Sequence, residues 1–430
     1  MKFLFVSLVS AIVFLTGCST SGKKVQMQKN TPLPSLDKEY ANVSVMVQMM
    51  NILRNHYVDQ NKVSDDKLFE AAMHGIASNL DPYSGYEPPR THKANRDRRN
   101  GESSGIGVII AKPAKNNLLV VNVIPDSPAD KAKIMPGDTV IAIDGKNIKQ
   151  LNLYQCQKLL QGKRGTKVSL KLLSSGKTVH KTLIRKRVIM PSVPHALVIN
   201  KNIGYIKITS FTLHSAQEFK KALAKLKKQN IRSLIIDLRN NTGGHVQSTV
   251  DTISQLLSPG KIIMTAHGRN PEKKQTVRSK KIANSPAETK LPIVILVNCF
   301  TASSAEIFSS ALRDNKRAQL VGTRTFGKGT LLHVIRLANG GALRYSSGRY
   351  ITPSGKFIEA KGLQPDHKIQ LSANQLYRLT LQQRKYPGVI KQAIKNAVRD
   401  TQLEKAVNLL SANKDKKTAP KVPVHESVTR

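Results

Sequence analysis

Two adjacent serines stand where an apolar run gives way to a helical pattern, and their chemistry depends on that turn. The run 292–297 contains no polar residue and ends at Asn298, and a helix is predicted from Ser304 onward. A hydroxyl at such a turn is well placed as a nucleophile, because N–H groups at a helix start lack partners and can hold an oxyanion. Ser303 or Ser304 could equally cap the helix, so the segment alone leaves both interpretations open.

A pair of glycines follows another apolar strand pattern. The apolar residues of 231–238 lead into a polar stretch and then into Gly243 and Gly244. Because glycine has no side chain, it lets backbone amides approach a ligand closely. A plain strand-to-helix loop would have the same composition, and this segment alone does not separate the two interpretations.

A lysine between two glycines supplies a third chemical group. Lys328 lies in Phe326-Gly327-Lys328-Gly329, beside an aromatic residue. A lysine acts as a general base only when it is neutral, and burial in an apolar pocket lowers its pKa by disfavouring the ammonium. Phosphate binding is the competing interpretation. The spacing G-x-x-x-x-G-K-[ST] fails, however, because Gly329 stands in place of the hydroxyl residue.

Six ordered segments give the chain a specific resemblance to the carboxy-terminal processing peptidases, also called tail-specific proteases. The resemblance spans residues 40–410. It implies an α/β crotonase-like core with an inserted PDZ domain, which is a small β domain, and helical N- and C-terminal segments. The segments are 80–84 (Leu-Asp-Pro-Tyr-Ser), 237–244, 301–307, 326–330, 350–355 and 362–366, and residues 400–403 resemble the tail of the family.

The resemblance implies roles for residues in these segments. Ser303 takes the position of the nucleophile and Lys328 that of the general base, in a Ser–Lys dyad. The backbone N–H of Ser304, with that of Gly243 or Gly244, would hold the oxyanion. The activity implied is that of a serine-type endopeptidase that cleaves near the C-termini of envelope proteins and needs no cofactor.

The inserted domain has a binding loop of its own. Gly105-Ile106-Gly107-Val108 resembles the carboxylate-binding loop of PDZ domains, whose backbone amides hold a chain terminus while the peptide adds to the sheet as a strand. Segments 123–129 and 135–145 match the same domain. Protein or peptide substrates bound by their C-termini are therefore the expected partners.

One departure from the family bears on activity. Members usually carry glutamine four residues after the lysine, where it orients the base, and this chain has Leu332. His333 is adjacent, but neighbouring strand residues face opposite sides, so it replaces the glutamine only if the strand slips or bulges. A Ser–Lys dyad can work without the glutamine. The alternative is a weakly active or inactive PDZ adaptor that tethers envelope proteins.

Patterns along the chain indicate the elements that must position these groups. Helical spacing recurs over 40–57 and 64–80, short β-rich runs fill 103–187, and strands alternate with helices over 188–370. The arginine-rich residues 90–100 are expected to be an exposed linker. The predicted organisation is a signal peptide at 1–17, a lipidated tether at 18–39, a helical region at 40–100, a PDZ domain at 103–187, a peptidase core at 188–370, and a basic helical tail at 371–430 with a disordered end.

The N-terminus has the pattern of an export signal. Lys2 precedes an apolar run, 3–15, that is too short to span a bilayer comfortably. Leu15-Thr16-Gly17-Cys18 resembles the lipobox of bacterial lipoproteins, so Cys18 is the expected lipidation site. An ordinary cleaved signal with an incidental cysteine is the alternative. The expected location is a membrane surface on the periplasmic or another extracytoplasmic side.

The chain is strongly basic, with 69 Lys and Arg against 27 Asp and Glu and a formal net charge of +42. Such a surface attracts polyanions, and export makes an anionic membrane or cell-wall surface the expected partner rather than nucleic acid. A charge-driven polymer binder without chemistry would leave the ordered motifs unexplained. A homodimer is considered as the assembly.

The cysteine and histidine content predicts no metal site. No pattern of these residues has the spacing of zinc ligands. Cys156 and Cys299 fall in different predicted domains, and no local pattern supports a disulfide between them.

Overall fold

The described part of the protein begins within the predicted tether. The structure, a computed structural model, describes residues 36–412 apart from 113–117, 125, 175, 271, 283–286, 373–374, 376–377, 380–381 and 383–397. Cys18 and the tail beyond residue 412 therefore lie outside the described residues. Contacts divide the chain into two units, Met1–Ala71 and Ala72–Arg430, and each is described by itself.

Helices open the described chain, as the apolar spacing predicts. Helix α1 spans Leu36–His56, a short 3₁₀ helix spans Gln60–Lys62 and helix α2 spans Asp65–Ser78. Strand β1, Gly85–Glu87, and helix α3, Pro89–Arg99, follow. No helix among the described residues combines the length and the apolar content that crossing a bilayer requires.

The expectation of a linker at 90–100 is wrong, because α3 covers nearly all of those residues. The helix has no buried residue, so hydrophobic spacing could not reveal it. Pro89 in its first turn supplies a preset φ. The buried carboxylate of Glu87 holds the polar helix, because His92 Nδ1 lies 3.0 Å from its Oε2 and Asn95 donates to its Oε1 at 3.0 Å.

The region predicted as a PDZ domain is a small β domain with its own core. Its elements are β2 (Glu102–Gly105), β3 (Val108–Ala111), β4 (Leu118–Val123), α4 (Pro128–Lys131), β5 (Thr139–Ile143), β6 (Lys146–Asn147), α5 (Leu153–Leu160), β7 (Lys167–Ser174), β8 (Lys177–Ile184) and β9 (Lys186–Ile189). The main sheet has the order β3-β4-β5-β7-β8, with β6 beside β5, and β2 pairs with β9. Strand β3 therefore lies at the sheet edge. Cys156 lies in this core, Cys299 is exposed outside it, and both are free thiols.

The region predicted as the peptidase core contains two sheets. Its elements are β10 (His195–Ile199), β11 (Ile203–Lys207), α6 (Ser215–Lys228), β12 (Ser233–Asp237), α7 (Val246–Ile253), β13 (Ile262–His267), β14 (Lys274–Arg278), β15 (Ile293–Val297), α8 (Ser304–Asp314), β16 (Ala318–Gly322), β17 (Thr330–Arg336), β18 (Ala342–Ile351) and β19 (His367–Lys368), followed by α9 (Thr401–Ala412). The first sheet has the order β10-β11-β12-β15-β16-β19, and all its pairs except β10–β11 are parallel. The second sheet has the order β1-β18-β13-β14, and β17 also pairs with β18.

Helices cover both faces of the parallel sheet. Because side chains alternate along a strand, β12 sends Leu234 and Ile236 into one cluster and Ile235 into another. The first cluster contains side chains of α6, α7 and α8, and the second contains side chains of α9. This double burial explains why the strands read as continuous apolar runs in the sequence.

A buried charge cluster fixes α9 on the sheet. Arg239 is 2% exposed and donates two hydrogen bonds to Asp237, at 3.0 and 2.8 Å. It donates two more to Asp400, at 2.8 and 2.9 Å, and Asp400 accepts the N–H of Leu403 in the first turn of α9. Because a buried guanidinium is tolerated only with paired carboxylates, this cluster ties the C-terminal helix to the turn that follows β12.

Candidate active site

The serine turn joins β15 to α8, and Ser303 is its last residue before the helix. Its backbone has φ 56° and ψ −120°, a conformation that residues other than glycine rarely adopt. An ordinary helix N-cap is extended, so capping alone does not account for this geometry. A strained serine at a strand-to-helix turn is the arrangement that exposes a nucleophilic hydroxyl. Ser303 is half-buried whereas Ser304 is fully buried, which favours Ser303 as the nucleophile.

A buried carboxylate joins this turn to the loop that carries Lys328. Glu306, in the first turn of α8, has no exposed surface. Its Oε2 accepts the backbone N–H of Ser303 and that of Lys328, each at 2.9 Å. Its Oε1 accepts the hydroxyl of Thr325 and, at 2.8 Å, the N–H of Gly327. Two nitrogens bound to one oxygen lie within twice that distance of each other, so the structure brings the backbones of Ser303 and Lys328 together.

Tyr350 forms a second link between the same two segments. Its hydroxyl lies 3.3 Å from the carbonyl oxygen of Ser303 and 3.1 Å from that of Lys328, and it can donate to both. Burial raises the pKa of this hydroxyl well above its usual range, so the group stays a donor. Burial also raises the pKa of Glu306, and the four hydrogen bonds to its carboxylate oppose that effect.

The glycine pair lies against the serine turn. A side chain on Gly243 would place its Cβ 2.8 Å from the nitrogen of Ser304 and 2.9 Å from the Cβ of Ser303, so this approach requires glycine. The N–H of Gly243 already donates to Oδ1 of Asn241 at 2.9 Å. Among the described residues, the N–H groups of Gly244 and Ser304 donate no hydrogen bond. Of the two predicted glycines, Gly244 is therefore the one with an available N–H.

Lys328 is half-buried and has charged neighbours of both signs. Burial has the largest effect and lowers the pKa of its ammonium, and the Arg344 guanidinium lowers it further, whereas Glu359 and Asp81 act in the opposite direction. The Nζ atom lies 4.7 Å from the centroid of the Tyr83 ring. The net shift favours the neutral amine that a general base requires.

The strand after the lysine keeps Leu332 and His333 on opposite faces. Strand β17 pairs Leu332 with Ser346, and the unpaired extra residue of the local irregularity is Ser347, in β18. The alternation along β17 is therefore undisturbed. His333 is exposed, and its ring centroid lies 5.7 Å from that of Tyr345. His333 would take the place of the usual glutamine only through a bulge in β17, and the bulge lies in β18 instead.

The four residues predicted to bind a peptide terminus run from the last residue of β2, through the loop Ile106–Gly107, to the first residue of β3. Gly107 has φ +86°, and a Cβ there would lie 2.1 Å from that of Ser127, so the loop requires glycine. The carbonyls of Ile106 and Gly107 accept N–H groups of neighbouring turns, each at 2.8 Å. In the part of the chain that the structure describes, the N–H groups of these two residues donate no hydrogen bond and are available to a carboxylate.

A small groove lies beside this loop, at the edge formed by β3. Leu160 and Gln161, at the end of α5, also line it. The side chain of Ile106 is buried in the domain core, so this residue faces the groove through its backbone. The lining residues are Ser103, Gly105, Ile106, Gly107, Val108, Leu160, Gln161, Val188 and Met190.

Four residues around Ser303 and Lys328 have contacts that the sequence did not predict. Glu306, Tyr350 and Tyr83 lie inside the segments that carry the family resemblance, and this position is the sequence signal that points to them. Glu359 lies outside those segments. Each also contacts residues distant in the chain. In the described ranges, no three His, Cys, Asp or Glu side chains are grouped as a metal site.

Comparison with protein families finds one match in the region of Ser303 and Lys328 and another in the small β domain. The pattern of peptidase family S41 matches residues 202–369, which contain the serine turn and the lysine loop. The pattern of the PDZ domain matches residues 119–174. The second match lies within the small β domain described above.

Similar proteins cover most of the chain. The carboxy-terminal processing protease CtpA of Bacillus subtilis is 31% identical over 381 residues, which are 86% of this chain and 78% of that protein. The carboxyl-terminal-processing protease of Synechocystis is 30% identical over 375 residues, 85% of this chain and 86% of that protein. A solved structure of a Bacteroides fragilis protein assigned to the S41 proteases has a TM-score of 0.55 at 17% identity, covers 85% of this chain and 97% of its own, and shows the same fold.

Proposed function

The chain belongs to peptidase family S41, with the carboxy-terminal processing proteases, and on this premise we propose that it is a serine endopeptidase with Ser303 as nucleophile and Lys328 as general base. The observation that carries the proposal is the carboxylate of Glu306. One of its oxygens accepts the N–H of both residues, although they are far apart in the sequence. The positive φ of Ser303 supports the assignment, because such strain persists where function requires it.

Catalysis begins with proton transfer inside the dyad. The neutral Nζ of Lys328 takes the proton of Ser303 Oγ as that oxygen attacks the scissile carbonyl. The N–H groups of Gly244 and Ser304 stabilise the oxyanion that forms. The Lys328 ammonium then protonates the leaving amine, and the C-terminal product departs from an acyl-enzyme. Water then attacks the ester as it gives a proton to Lys328, and that proton returns to Ser303 Oγ as the acyl group leaves.

The core is proposed to be of the crotonase-like α/β type. Its support is a parallel sheet with helices on both faces, in which β12 and β15 are neighbours. The oxyanion turn follows β12 and the nucleophile turn follows β15. The two turns therefore meet at one end of the sheet, where ligands bind in open α/β folds.

The PDZ domain is proposed to capture the C-termini of protein substrates. The available N–H groups of Ile106 and Gly107 would hold the terminal carboxylate. The free edge of β3 would accept the peptide as an added strand. The apolar side chains that line the groove, among them Leu160 and Val188, favour an apolar terminal residue.

The enzyme is proposed to be an exported lipoprotein anchored through Cys18, with envelope proteins as substrates. The support is the sequence pattern that ends in Leu15-Thr16-Gly17-Cys18. The net charge of +42 favours contact with an anionic membrane or cell-wall surface rather than nucleic acid in that compartment. Cell fractionation of a Cys18→Ser variant tests this, since the variant should leave the membrane fraction. Retention at high salt would contradict the lipid anchor.

Labelling with a serine-reactive probe, run beside cleavage of a peptide with a free C-terminus, tests the catalytic assignment. Ser303→Ala should abolish labelling and cleavage, because it removes the nucleophile. Lys328→Ala and Lys328→Arg should abolish cleavage, because neither side chain can accept the serine proton. Ser354→Ala, at an exposed serine, is the matched control and should behave as wild type. Undiminished cleavage by Ser303→Ala would refute the assignment.

The adaptor remains the second candidate function because of Leu332. The structure places neither an amide nor His333 on the face of β17 where the usual glutamine would lie. A weakly active or inactive adaptor would bind C-terminal peptides with an affinity that Gly107→Leu reduces, and it would show little or no turnover. Efficient multiple turnover that is lost in Ser303→Ala would exclude this candidate.

A further inference from the structure

The turn that precedes β1 holds an aromatic ring in a fixed place. The Asp81 carboxylate accepts the N–H groups of Tyr83 and Ser84, at 2.7 and 2.8 Å, and the hydroxyl of Ser84 at 2.7 Å. Nε of Arg344 donates to the carbonyl of Tyr83 at 2.8 Å, and β1 pairs with β18 directly after the turn. The Leu-Asp-Pro-Tyr-Ser segment therefore holds Tyr83 in a fixed position. The proposed roles of Ser303 and Lys328 do not explain why this is needed.

The Tyr83 ring faces Lys328, the proposed base. The Nζ atom of Lys328 lies over the Tyr83 ring, 4.7 Å from its centroid, within the range of a cation–π interaction. The Tyr83 hydroxyl donates to Oε1 of Glu359 at 3.2 Å. Oε2 of Glu359 accepts the N–H of Gly329 at 2.7 Å and the hydroxyl of Thr330 at 2.8 Å. The ring is thus tied to the backbone on the C-terminal side of the lysine.

The residue that replaces the usual glutamine cannot orient Lys328 in this chain. Leu332 has no polar group, and His333 lies on the other face of β17. A flexible lysine side chain with no orienting partner would lose rotamer freedom each time it reached the nucleophile. The Tyr83 ring meets the need for an orienting surface from a different part of the chain.

We propose that Tyr83 is the positioning residue of the general base: the face of its ring orients Nζ of Lys328 and stabilises the ammonium formed when Lys328 takes the proton of Ser303. The inference rests on the proposed peptidase function. The interaction strengthens as positive charge develops on Nζ, so it favours the transition state over the ground state. The hydroxyl of Tyr83 positions the ring through Glu359 and takes no part in the proton transfer.

The other charged groups around Lys328 set the background for this effect. Arg344 lies on β18 and disfavours the ammonium, whereas Glu359 and Asp81 favour it. The pKa of Tyr83 is raised by its burial and by Glu359, so the hydroxyl remains protonated over the working range. The loss of the ring removes one stabilising partner of the ammonium and leaves all three ionic neighbours in place.

The test compares Tyr83→Leu with Tyr83→Phe in the full chain, using pH profiles of peptide cleavage. Tyr83→Leu should lower kcat about tenfold on the high-pH plateau, with KM little changed, and should shift the rise of kcat/KM to lower pH, because the ammonium loses its partner. Tyr83→Phe keeps the ring face and should retain most of kcat and the pH midpoint. Tyr345→Leu, which removes a tyrosine paired with His333, should leave the pH midpoint unchanged.

A rescue experiment separates orientation of the base from a general structural role. Leu332→Gln should raise kcat more in the Tyr83→Leu background than in wild type, because both residues would supply the same orienting contact. The inference is overturned if Tyr83→Leu keeps the wild-type kcat and pH midpoint, or if Tyr83→Phe loses as much as Tyr83→Leu. Turnover that persists in Ser303→Ala would instead remove the proposed function on which the inference rests.

Discussion

Substitution of Glu306 by glutamine perturbs the proposed dyad without replacing Ser303 or Lys328. The carboxylate accepts four hydrogen bonds, two at each oxygen, from the segments on which Ser303 and Lys328 lie. A glutamine has almost the same shape but only one accepting oxygen. With that oxygen turned toward Ser303 and Lys328, the hydroxyl of Thr325 can rotate to accept, but the N–H of Gly327 loses its acceptor.

The magnitude follows from these contacts. A buried N–H without an acceptor costs about 1–3 kcal/mol. The remaining bonds lose their charge assistance, which adds about 1 kcal/mol. We therefore expect Glu306→Gln to lower the free energy of unfolding by about 2–4 kcal/mol. Because the substitution also loosens the backbone link between Ser303 and Lys328, kcat should fall by about 10–100-fold.

Denaturant unfolding and peptide cleavage measure the two effects on the same preparation. Glu404→Gln is the matched control, because its partner Arg399 is 73% exposed and such pairs contribute less than about 1 kcal/mol. Equal unfolding midpoints for the two variants would show that the Glu306 carboxylate does not hold the segments together. A wild-type kcat in a destabilised Glu306→Gln protein would separate stability from catalysis and contradict the positioning argument.

Three further outcomes follow from neighbouring contacts. Tyr350→Phe should lose about 1 kcal/mol of unfolding free energy and part of kcat, measured as above, because two carbonyls lose a shared donor. Arg344→Gln should move the rise of activity to higher pH, since removing a cation raises the pKa of Lys328 and keeps it protonated longer; a pH profile shows this, and exposed Arg349→Gln should not shift it. Asp400→Ala should lower the free energy of unfolding in urea by about 3 kcal/mol because it leaves buried Arg239 with one carboxylate, and an unchanged midpoint would show that the buried charge cluster does not hold α9 on the sheet.

Hydrophobic spacing located the elements that are buried. Helix α8 begins at Ser304, where its pattern predicts, and the strands β12 and β15 lie within their predicted apolar runs. These elements are visible in the sequence because each buries one or both faces, which forces a period of 2 or 3.6. Burial is thus the property that a single sequence records most directly.

Elements held by polar contacts were not predictable in the same way. Helix α3 buries no side chain and depends on the carboxylate of Glu87. Strand β18 has a mixed burial pattern and contains arginines, serines and a glycine, so it has no apolar run. Its importance comes from its three neighbours, β1, β13 and β17, which are brought together only by the fold.

Sequence motifs predict the reactive residues of the site but not the contacts that position them. Ser303, Lys328 and the glycine pair were predicted from their segments, and the structure brings those segments together. Their positioning is non-local: Glu306 contacts residues beyond β16, and Tyr83 reaches Lys328 from the other side of the PDZ insertion. A single difference from the family sequence, such as leucine in place of glutamine at position 332, therefore does not by itself decide whether Lys328 is oriented. The same orienting contact can come from a residue far away in the sequence, and only the three-dimensional neighbours of Nζ show which residue supplies it.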